Sequence, residues 1–540
     1  MRKSILKAVP ILIIAGIIAT LGFIVDGLMS LQMMKAIDAV TQMDREAFQN
    51  QILLLFGFAL LFVPINLGVA FFKGLYKRRA IVYAKRHYME KVFQKEINKF
   101  QSENTAVYLS TLTNDVANIE MNYIDGIFEV VINVMNFIVG IFIIAYVSPI
   151  ALVAGLVLGV VGTIISIVMS KPLQMHQEHR SAFYTTYTSY IKEFLSAFHI
   201  IKSNNLYSKV KADFYKKSED IQEKGYQIDK IISYISAMQT FMMYFMMYGL
   251  LSFSVFLAIR GDLSLGGVVL IVNNTEKIMF PLMQISEWLP KIISSKGIFN
   301  KIQLLLDDNV NNEETIAISE FEQAIHFDRV SFSYETQEVL SNVSFKLNKG
   351  EKYLIVGPSG GGKSTLLKLI RKYFNPLNGD IKIDNQDIRQ ITKETYFQQL
   401  ANIEQQVFIF EDTVKNNLCL YKNYSDLELQ LAIKRAGLSD FVESHPDGLD
   451  HMLYDNGKNI SGGEKSRIAI ARGLLQHAKI IILDEAFASL DSSIAREIEK
   501  TLLALEDVTV INVSHVIFEE SKKSYDQVFM VKNKGVYAMT

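Results

Sequence analysis

Eight consecutive residues set the first piece of chemistry: Gly357-Pro358-Ser359-Gly360-Gly361-Gly362-Lys363-Ser364. They follow the pattern G-x-x-x-x-G-K-[ST], in which each part has its own task. The glycines let backbone N–H groups close around an anion at the start of a helix. The lysine brings a point charge to the β and γ phosphates of a nucleotide, and the serine hydroxyl is a ligand for Mg²⁺. The flanks agree with this reading. Tyr353-Leu354-Ile355-Val356 reads as a strand leading in, and Thr365-Leu366-Leu367-Lys368-Leu369-Ile370 as a helix leading out. With average Gly, Lys and Ser/Thr usage, a chance match arises on the order of once in fifty chains of this length. The strand–loop–helix setting makes chance a poorer explanation still.

Two further clusters complete the set. Ile480-Ile481-Ile482-Leu483 has the unbroken aliphatic character of a strand buried on both faces, and it ends in Asp484-Glu485. An acid at a strand end beside a phosphate loop can hold the Mg²⁺ shell, and a second acid can polarise an attacking water. Ahead of it, Ile460-Ser461-Gly462-Gly463-Glu464 opens a helical stretch, Lys465-Ser466-Arg467-Ile468-Ala469-Ile470-Ala471-Arg472. A serine and two glycines at a helix start supply a hydroxyl and free N–H groups, a second anion site. By itself this last pattern would be an ordinary N-cap.

These residues need a scaffold, and the scaffold is of two kinds. The chain has 540 residues, half of them apolar, a net charge of −1 and a mean hydropathy of +0.19. The length exceeds one ordinary domain, and the balanced charge implies no nucleic-acid partner. Residues 320–540 read as an α/β protein. Residues 8–290 carry long runs almost without charge, and six segments have the roughly 20 apolar residues that cross a bilayer as helix: 9–31, 52–75, 127–147, 149–170, 236–259 and 265–289. The basic start MRKSILK leads into a run too long for a signal peptide and without a small-x-small cleavage site, so an uncleaved first membrane helix is expected. Cys419 is the sole cysteine, which rules out a disulfide within the chain and reads as a small buried hydrophobe.

Lys and Arg set the orientation. They crowd the stretch after the second segment (Lys73, Lys77, Arg78, Arg79, Lys85, Arg86) and the stretch 171–235, whereas the opposite loops carry Lys35, Arg45 and Arg260. Both basic stretches are therefore expected in the cytoplasm, with the N-terminus, as long helical hairpins. Several polar residues fall at membrane depth, where they are costly and point to function: Asp26, Asn66, Asn133 and Asn136. In the sixth segment Asn273, Glu276, Phe280, Met283, Gln284 and Glu287 share one helical face. That face either lines a wet cavity or, for Glu276, pairs within the membrane with a neighbour such as Lys277. The fifth segment holds Met238, Met242, Met243, Met246 and Met247 among aromatics. Thioethers bind Cu(I), and they also make adaptable apolar walls; no Cys or His accompanies them.

Taken together, the motifs and their order resemble the ABC transporter superfamily, in its exporter type with the membrane domain first, over essentially the whole chain. The resemblance implies an all-α six-helix transmembrane domain followed by an α/β P-loop NTPase domain: residues 1–300, a linker at 301–322, and an ATP-binding domain at 323–540. It implies roles residue by residue. Gly357, Ser359, Gly360, Gly362, Lys363, Ser364 and Thr365 would hold phosphates, with Tyr334 stacked on adenine. Ser461, Gly462 and Gly463 match the signature, and Asp491, in Ser489-Leu490-Asp491, the D-loop. Ser364, Gln405 and Asp484 would hold Mg²⁺, and Glu485, His515 and Gln405 would be catalytic. Thr113-Asn114-Asp115 resembles the pattern near the first coupling helix, and the second would lie around residues 198–207. Asn273, Glu276, Phe280, Gln284, Met243 and Met247 are candidates for the substrate cavity.

Three departures are visible. Ile460 and Glu464 stand where the signature usually has Leu and Gln, and Tyr454-Asp455-Asn456-Gly457 stands where exporters often show G-E-x-G. The expected function is ATP-driven export of an amphipathic molecule (peptide, drug-like compound or lipid) across a bacterial cytoplasmic membrane. The expected partners are a second copy of the chain or a related half, membrane lipid, and the cargo. A nucleotide-gated channel or regulatory membrane ATPase is the competing class, against which an intact Glu485 argues.

Overall fold

The structure is a computed structural model that describes residues 1–161, 164, 187, 190–307, 314–335, 337–514 and 522–539. The chain forms two compact units: Met1–Lys95 with Glu103–Asp307, and Glu96–Ser102 with Asp308–Thr540.

The first unit is helical. Its main elements are α1 (Val9–Thr41), α2 (Arg45–Phe93), α4 (Asp125–Val147), α5 (Pro149–Val161), α6 (Phe198–Ser203), α7 (Tyr207–Ile259), α8 (Leu265–Asn274) and α9 (Glu276–Leu306); the short α3 (Ile97–Ser102) belongs to the second unit. Asp44 starts α2 by accepting the Ala47 N–H at 2.9 Å, and Ser264 starts α8 by accepting that of Gly267 at 3.0 Å. The apolar surface of α2 faces outward. Leu53, Phe56, Leu60, Val63, Leu67 and Phe71 repeat every three or four residues and are all exposed, Leu53 and Leu60 by three quarters. In water each would forgo about 1.5–3 kcal/mol of burial; against lipid tails the same surface is at home, so the arrangement reads as a lipid face.

Among the described residues, four helical runs are long and apolar enough to cross a membrane: Arg2–Thr41, Arg45–Phe93, Thr105–Val147 and Tyr207–Ile259. The other two expected segments differ from a plain span. The fourth runs as Pro149–Val161, and most of its remainder lies outside the described residues. The joint before it is tight: Ser148 is extended and its hydroxyl accepts the Ala151 N–H at 3.2 Å. The sixth divides at Thr275 into α8 and α9. Asn274 and Thr275 bond back to the carbonyls of Leu270 (2.9 Å) and Ile271 (2.8 Å), and Pro281 withholds an N–H one turn later. Both effects weaken the helix ladder locally.

The second unit is α/β. Its strands are β1 (Ala324–Tyr334), β2 (Gln337–Asn348), β3 (Lys352–Val356), β4 (Asn378–Ile383), β5 (Gln386–Asp387), β6 (Leu400–Ile403), β7 (Asp412–Thr413), β8 (Met452–Leu453), β9 (Ile480–Asp484), β10 (Thr509–Val513), β11 (Gln527–Lys532) and β12 (Gly535–Met539). The main sheet runs β12-β11-β3-β10-β9-β6, with β11, β3, β10, β9 and β6 parallel; a second, antiparallel sheet runs β2-β1-β4-β5. The aliphatic run read as a doubly buried strand is so: Ile480 and Ile482 sit in one core with Ile355, Ile511, Val513 and Leu366 and Ile370 of the helix α10 (Lys363–Ile370), and Ile481 and Leu483 in another. Parallel alignment brings Ile355, Asp484 and Val513 to the same level, so β3, β9 and β10 end along one edge. In open α/β sheets that edge is where ligands bind.

After α2 the chain passes briefly into the second unit. Glu96–Ser102 clusters with the second unit, where Lys393 Nζ lies 3.1 Å from Glu96 Oε1. Thr113-Asn114-Asp115 stays in the first unit, where Asp115 is buried and pairs with Lys301 at 2.7 Å.

Candidate nucleotide site and membrane cavity

The phosphate loop leaves the end of β3 and enters α10. At Gly357 the chain passes so close to β11 that a Cβ would stand 2.2 Å from the Val531 carbonyl oxygen, and Gly362, at φ 106°, turns the chain into the helix. Lys363 is buried, and its ammonium donates to the carbonyls of Gly357 (2.9 Å) and Pro358 (3.1 Å). Ser359, Gly360 and Ser364 are exposed at the helix start. Thr365 is buried, its hydroxyl 3.5 Å from the Tyr334 hydroxyl. Tyr334 itself is edge-on to Phe332 and Phe374, with its ring partly exposed.

Asp484 ends β9, one strand over. Burial pushes its carboxyl up; the Arg371 guanidinium, with Nη1 at 3.3 Å from Oδ2, pulls the other way, and the charge of Glu485 adds to the rise. Glu485 stands in the left-handed region at φ 51°, its N–H bonded to the Val513 carbonyl at 2.9 Å. A non-glycine residue held there costs about 1–3 kcal/mol, and such strain gathers at functional sites. Gln405, exposed after β6, donates from Nε2 to Glu485 Oε2 at 2.8 Å. Lys363, Asp484, Glu485 and Gln405 therefore lie along one edge of the sheet, and three charged groups are already engaged: Lys363 by its own loop, Asp484 by Arg371, Glu485 by Gln405. His515 lies outside the described residues; Ser514 before it is buried and bonds to the Ile355 carbonyl.

The signature starts a helix, α11 (Gly462–Leu475). Ser461 is its N-cap within a capping box completed by Glu464, and Ser461 and Gly462 are exposed. The D-loop packs beneath it: Ser466 and Ser489 hydroxyls are 3.1 Å apart, and Asp491 is the N-cap residue of α12 (Ser492–Leu503). The departure Asp455-Asn456-Gly457 forms three successive left-handed residues. Asn456 Oδ1 accepts the Ile409 N–H at 2.8 Å and its carbonyl accepts Lys465 Nζ at 2.8 Å, tying the strand-end segment after Gln405 to the signature helix.

Sequence reasoning missed Arg371 and Asn456. Arg371 carries no motif and lies in an unremarkable helical turn; Asn456 lies in the stretch that departs from the familiar pattern. Neither had a spacing signal to find it by.

In the first unit a cavity of about 540 Å³ lies among α1, α2, α4, α8 and α9. Asn273, Glu276 and Phe280 line it, as expected, together with Asp26, Asn66 and Asn136. Gln284 does not: its Oε1 accepts the Trp288 indole N–H at 3.1 Å. Met243 and Met247 do not either, because α7 contributes nothing to this cavity. Lys277 pairs with Asp26 across 2.6 Å, so the intramembrane pair exists but with Asp26 in place of Glu276.

A helical membrane region ahead of an α/β phosphate-loop domain defines a membrane-bound nucleotide-binding protein of two joined parts. The model of the ABC transporter transmembrane region matches residues 12–282, half of the chain, and that of the ABC transporter matches residues 340–488. The chain belongs to the ABC transporters, with the membrane region first, as in exporters. It is similar to proteins named ATP-dependent lipid A-core flippase from Desulfotalea psychrophila (41% identical over 204 residues, 37% of this chain and 36% of that one) and Syntrophus aciditrophicus (26% over 446 residues, 81% and 74%). The match thus spans about a third of the first relative's length and about three quarters of the second's. Its fold is that of a bacterial Atm1-family ABC exporter solved with ATP bound, at a TM-score of 0.81 and 22% identity over 99% of this chain and 94% of that one.

Proposed function

We propose that the chain is half of an ATP-driven exporter, working as a pair of copies in a bacterial cytoplasmic membrane, with its ATPase domain and N-terminus on the cytoplasmic side. The observation that carries this reading is the meeting of Lys363, Asp484 and Glu485 along one edge of a parallel sheet. Each has its charge held by a partner that an arriving nucleotide can replace.

The steps follow from those partners. Phosphate oxygens at the start of α10 draw Lys363 off the Gly357 and Pro358 carbonyls, because a charge-assisted bond to phosphate outcompetes one to a neutral carbonyl. Gly357, Ser359, Gly360, Gly362 and Thr365 shape the cradle, and the Tyr334 ring offers a face to adenine. The Ser364 hydroxyl, the Asp484 carboxylate and the Gln405 side-chain oxygen are hard oxygen donors that fit Mg²⁺, which when bound neutralises charge on the β and γ phosphates. Glu485 orients and polarises water, and His515 contacts the γ-phosphate. The exposed Ser461 and Gly462, with Gly463 and Asp491 beside them, close the site from the second copy. Closing and opening of that seam drives the membrane halves between inward and outward forms, and Asn273, Glu276 and Phe280 face the cargo.

Glu485→Gln tests the reading. ATP binding should persist and turnover should fall by at least a hundredfold, the usual size of a lost general base. Hydrolysis at the unaltered rate contradicts it.

A further inference from the structure

The cavity in the membrane unit has an uneven charge. Its ionisable lining residues are Asp26, Glu276 and Lys277, two acids against one base. They are not equally available. The Lys277 side chain is 90% buried, its ammonium held 2.6 Å from Asp26, and the Asp26 side chain is 41% exposed. Glu276 is exposed and adjoins Lys277 in sequence but forms none of the ion pairs found among the described residues. The base is thus neutralised and out of reach, while a carboxylate stands open.

The backbone fixes this asymmetry. Lys277 lies one turn before Pro281, and Gly140 of α4 lies against it: a Cβ at Gly140 would stand 2.7 Å from Lys277 Cβ and 3.2 Å from its carbonyl oxygen. That close approach presses the lysine toward α1 and Asp26. Glu276, one residue earlier, is turned about 100° around the helix and faces the open side.

The rest of the wall is mainly apolar and aromatic, from Phe23, Phe62, Ile65, Val69, Ile132 and Phe280, with the amides of Asn66 and Asn273 among them. Asn136 adds an amide oxygen that is buried without a hydrogen-bond partner. The volume suits a drug-sized guest. A carboxylate among apolar walls at membrane depth is costly, and a cation beside it offsets that cost. Aromatic faces add to the attraction. An anionic headgroup would have to displace Asp26 from Lys277 and then sit beside Glu276.

We propose that this cavity takes a lipophilic monocation, an apolar body bearing one amine, guanidinium or onium centre, paired with Glu276 and excluded from Lys277 by Asp26. The proposal rests on the export reading above for its biological use, but not for its binding chemistry.

Tetraphenylphosphonium and tetraphenylborate have nearly the same shape and opposite charge. Equilibrium binding of each to the full chain in lipid nanodiscs, set against empty nanodiscs, should show saturable binding of the phosphonium at least tenfold tighter than of the borate. Glu276→Gln should cut the phosphonium affinity about tenfold and leave the borate unchanged. Equal binding of the two ions, tighter borate, or an indifferent Glu276→Gln would overturn the proposal, and the comparison in the unaltered chain decides even if the variant fails to fold. ATP hydrolysis is read in the same preparation. Hydrolysis without charge preference removes the cation site and leaves the export reading; charge preference without hydrolysis removes the export reading and supports the cation site.

Discussion

Ser461 and Glu464 cap one another: the Glu464 N–H donates to Ser461 Oγ at 3.2 Å, and the Glu464 carboxylate accepts the Ser461 N–H at 2.7 Å. The pair stabilises the start of α11, where an acid in the first turn gains about 0.3–1 kcal/mol from the helix dipole. It also sets a negative charge within one turn of the surface that, in the proposed dimer, meets a γ-phosphate. The glutamate that departs from the usual signature glutamine thus favours the helix and opposes the ligand.

Glu464→Gln separates the two effects. An amide oxygen can still accept the Ser461 N–H, so the box is retained while the charge is lost. The KM for ATP should fall two- to fivefold, corresponding to the roughly 0.3–1 kcal/mol of one charge near a helix start. A KM that stays or rises would show that Glu464 does not face the nucleotide.

Arg371 and Asp484 predict a pH dependence. Burial holds the Asp484 carboxyl above its ordinary 3.8, and Arg371 limits that rise. The folded chain therefore keeps this proton more tightly than the unfolded one. Its contribution to stability is complete below pH 3.8 and is lost as pH rises through the raised value. In its proposed role as a Mg²⁺ ligand Asp484 must be ionised, so ATPase activity should run the other way and fall as pH drops through the same window. Arg371→Met removes the opposing charge, and the acid limb of kcat against pH should move about one pH unit toward neutrality. An acid limb that stays in place would mean that Asp484 does not control it.

Much of this architecture was legible because a few residues carry strong local physics. The phosphate loop needs its glycines and lysine in a fixed order, and Ile480-Ile481-Ile482-Leu483 can bury both faces only inside a parallel sheet. What was hidden depends on partners distant in sequence. Asp26 was recognised as costly at membrane depth and Lys277 only as a candidate partner of Glu276; no periodicity says that Asp26 and Lys277 meet. The Arg371–Asp484 contact joins two segments whose spacing carries no code. The break at Thr275 comes from side-chain bonds back to carbonyls, which a mainly apolar segment conceals. Met243, Met247 and Gln284 were placed with the cavity on composition and helical spacing, and spacing alone does not say which neighbouring helix a face meets.

In the proposed pair of copies each nucleotide lies between Lys363 of one copy and the signature of the other. This arrangement is tested most directly by mixing two inactive variants. Lys363→Ala damages the phosphate loop, and Gly462→Asp puts a carboxylate on the exposed signature turn, where a Cβ meets only Ser489 Cβ at an ordinary 3.6 Å. Each pure dimer then has no sound site. A mixed dimer, isolated by two different affinity tags, has one site with both faults and one with neither, and ATP hydrolysis should return to well above either parent. If phosphate loop and signature of the same chain formed the site, no intact site would exist in the mixture, and activity no greater than the parents' would contradict the account.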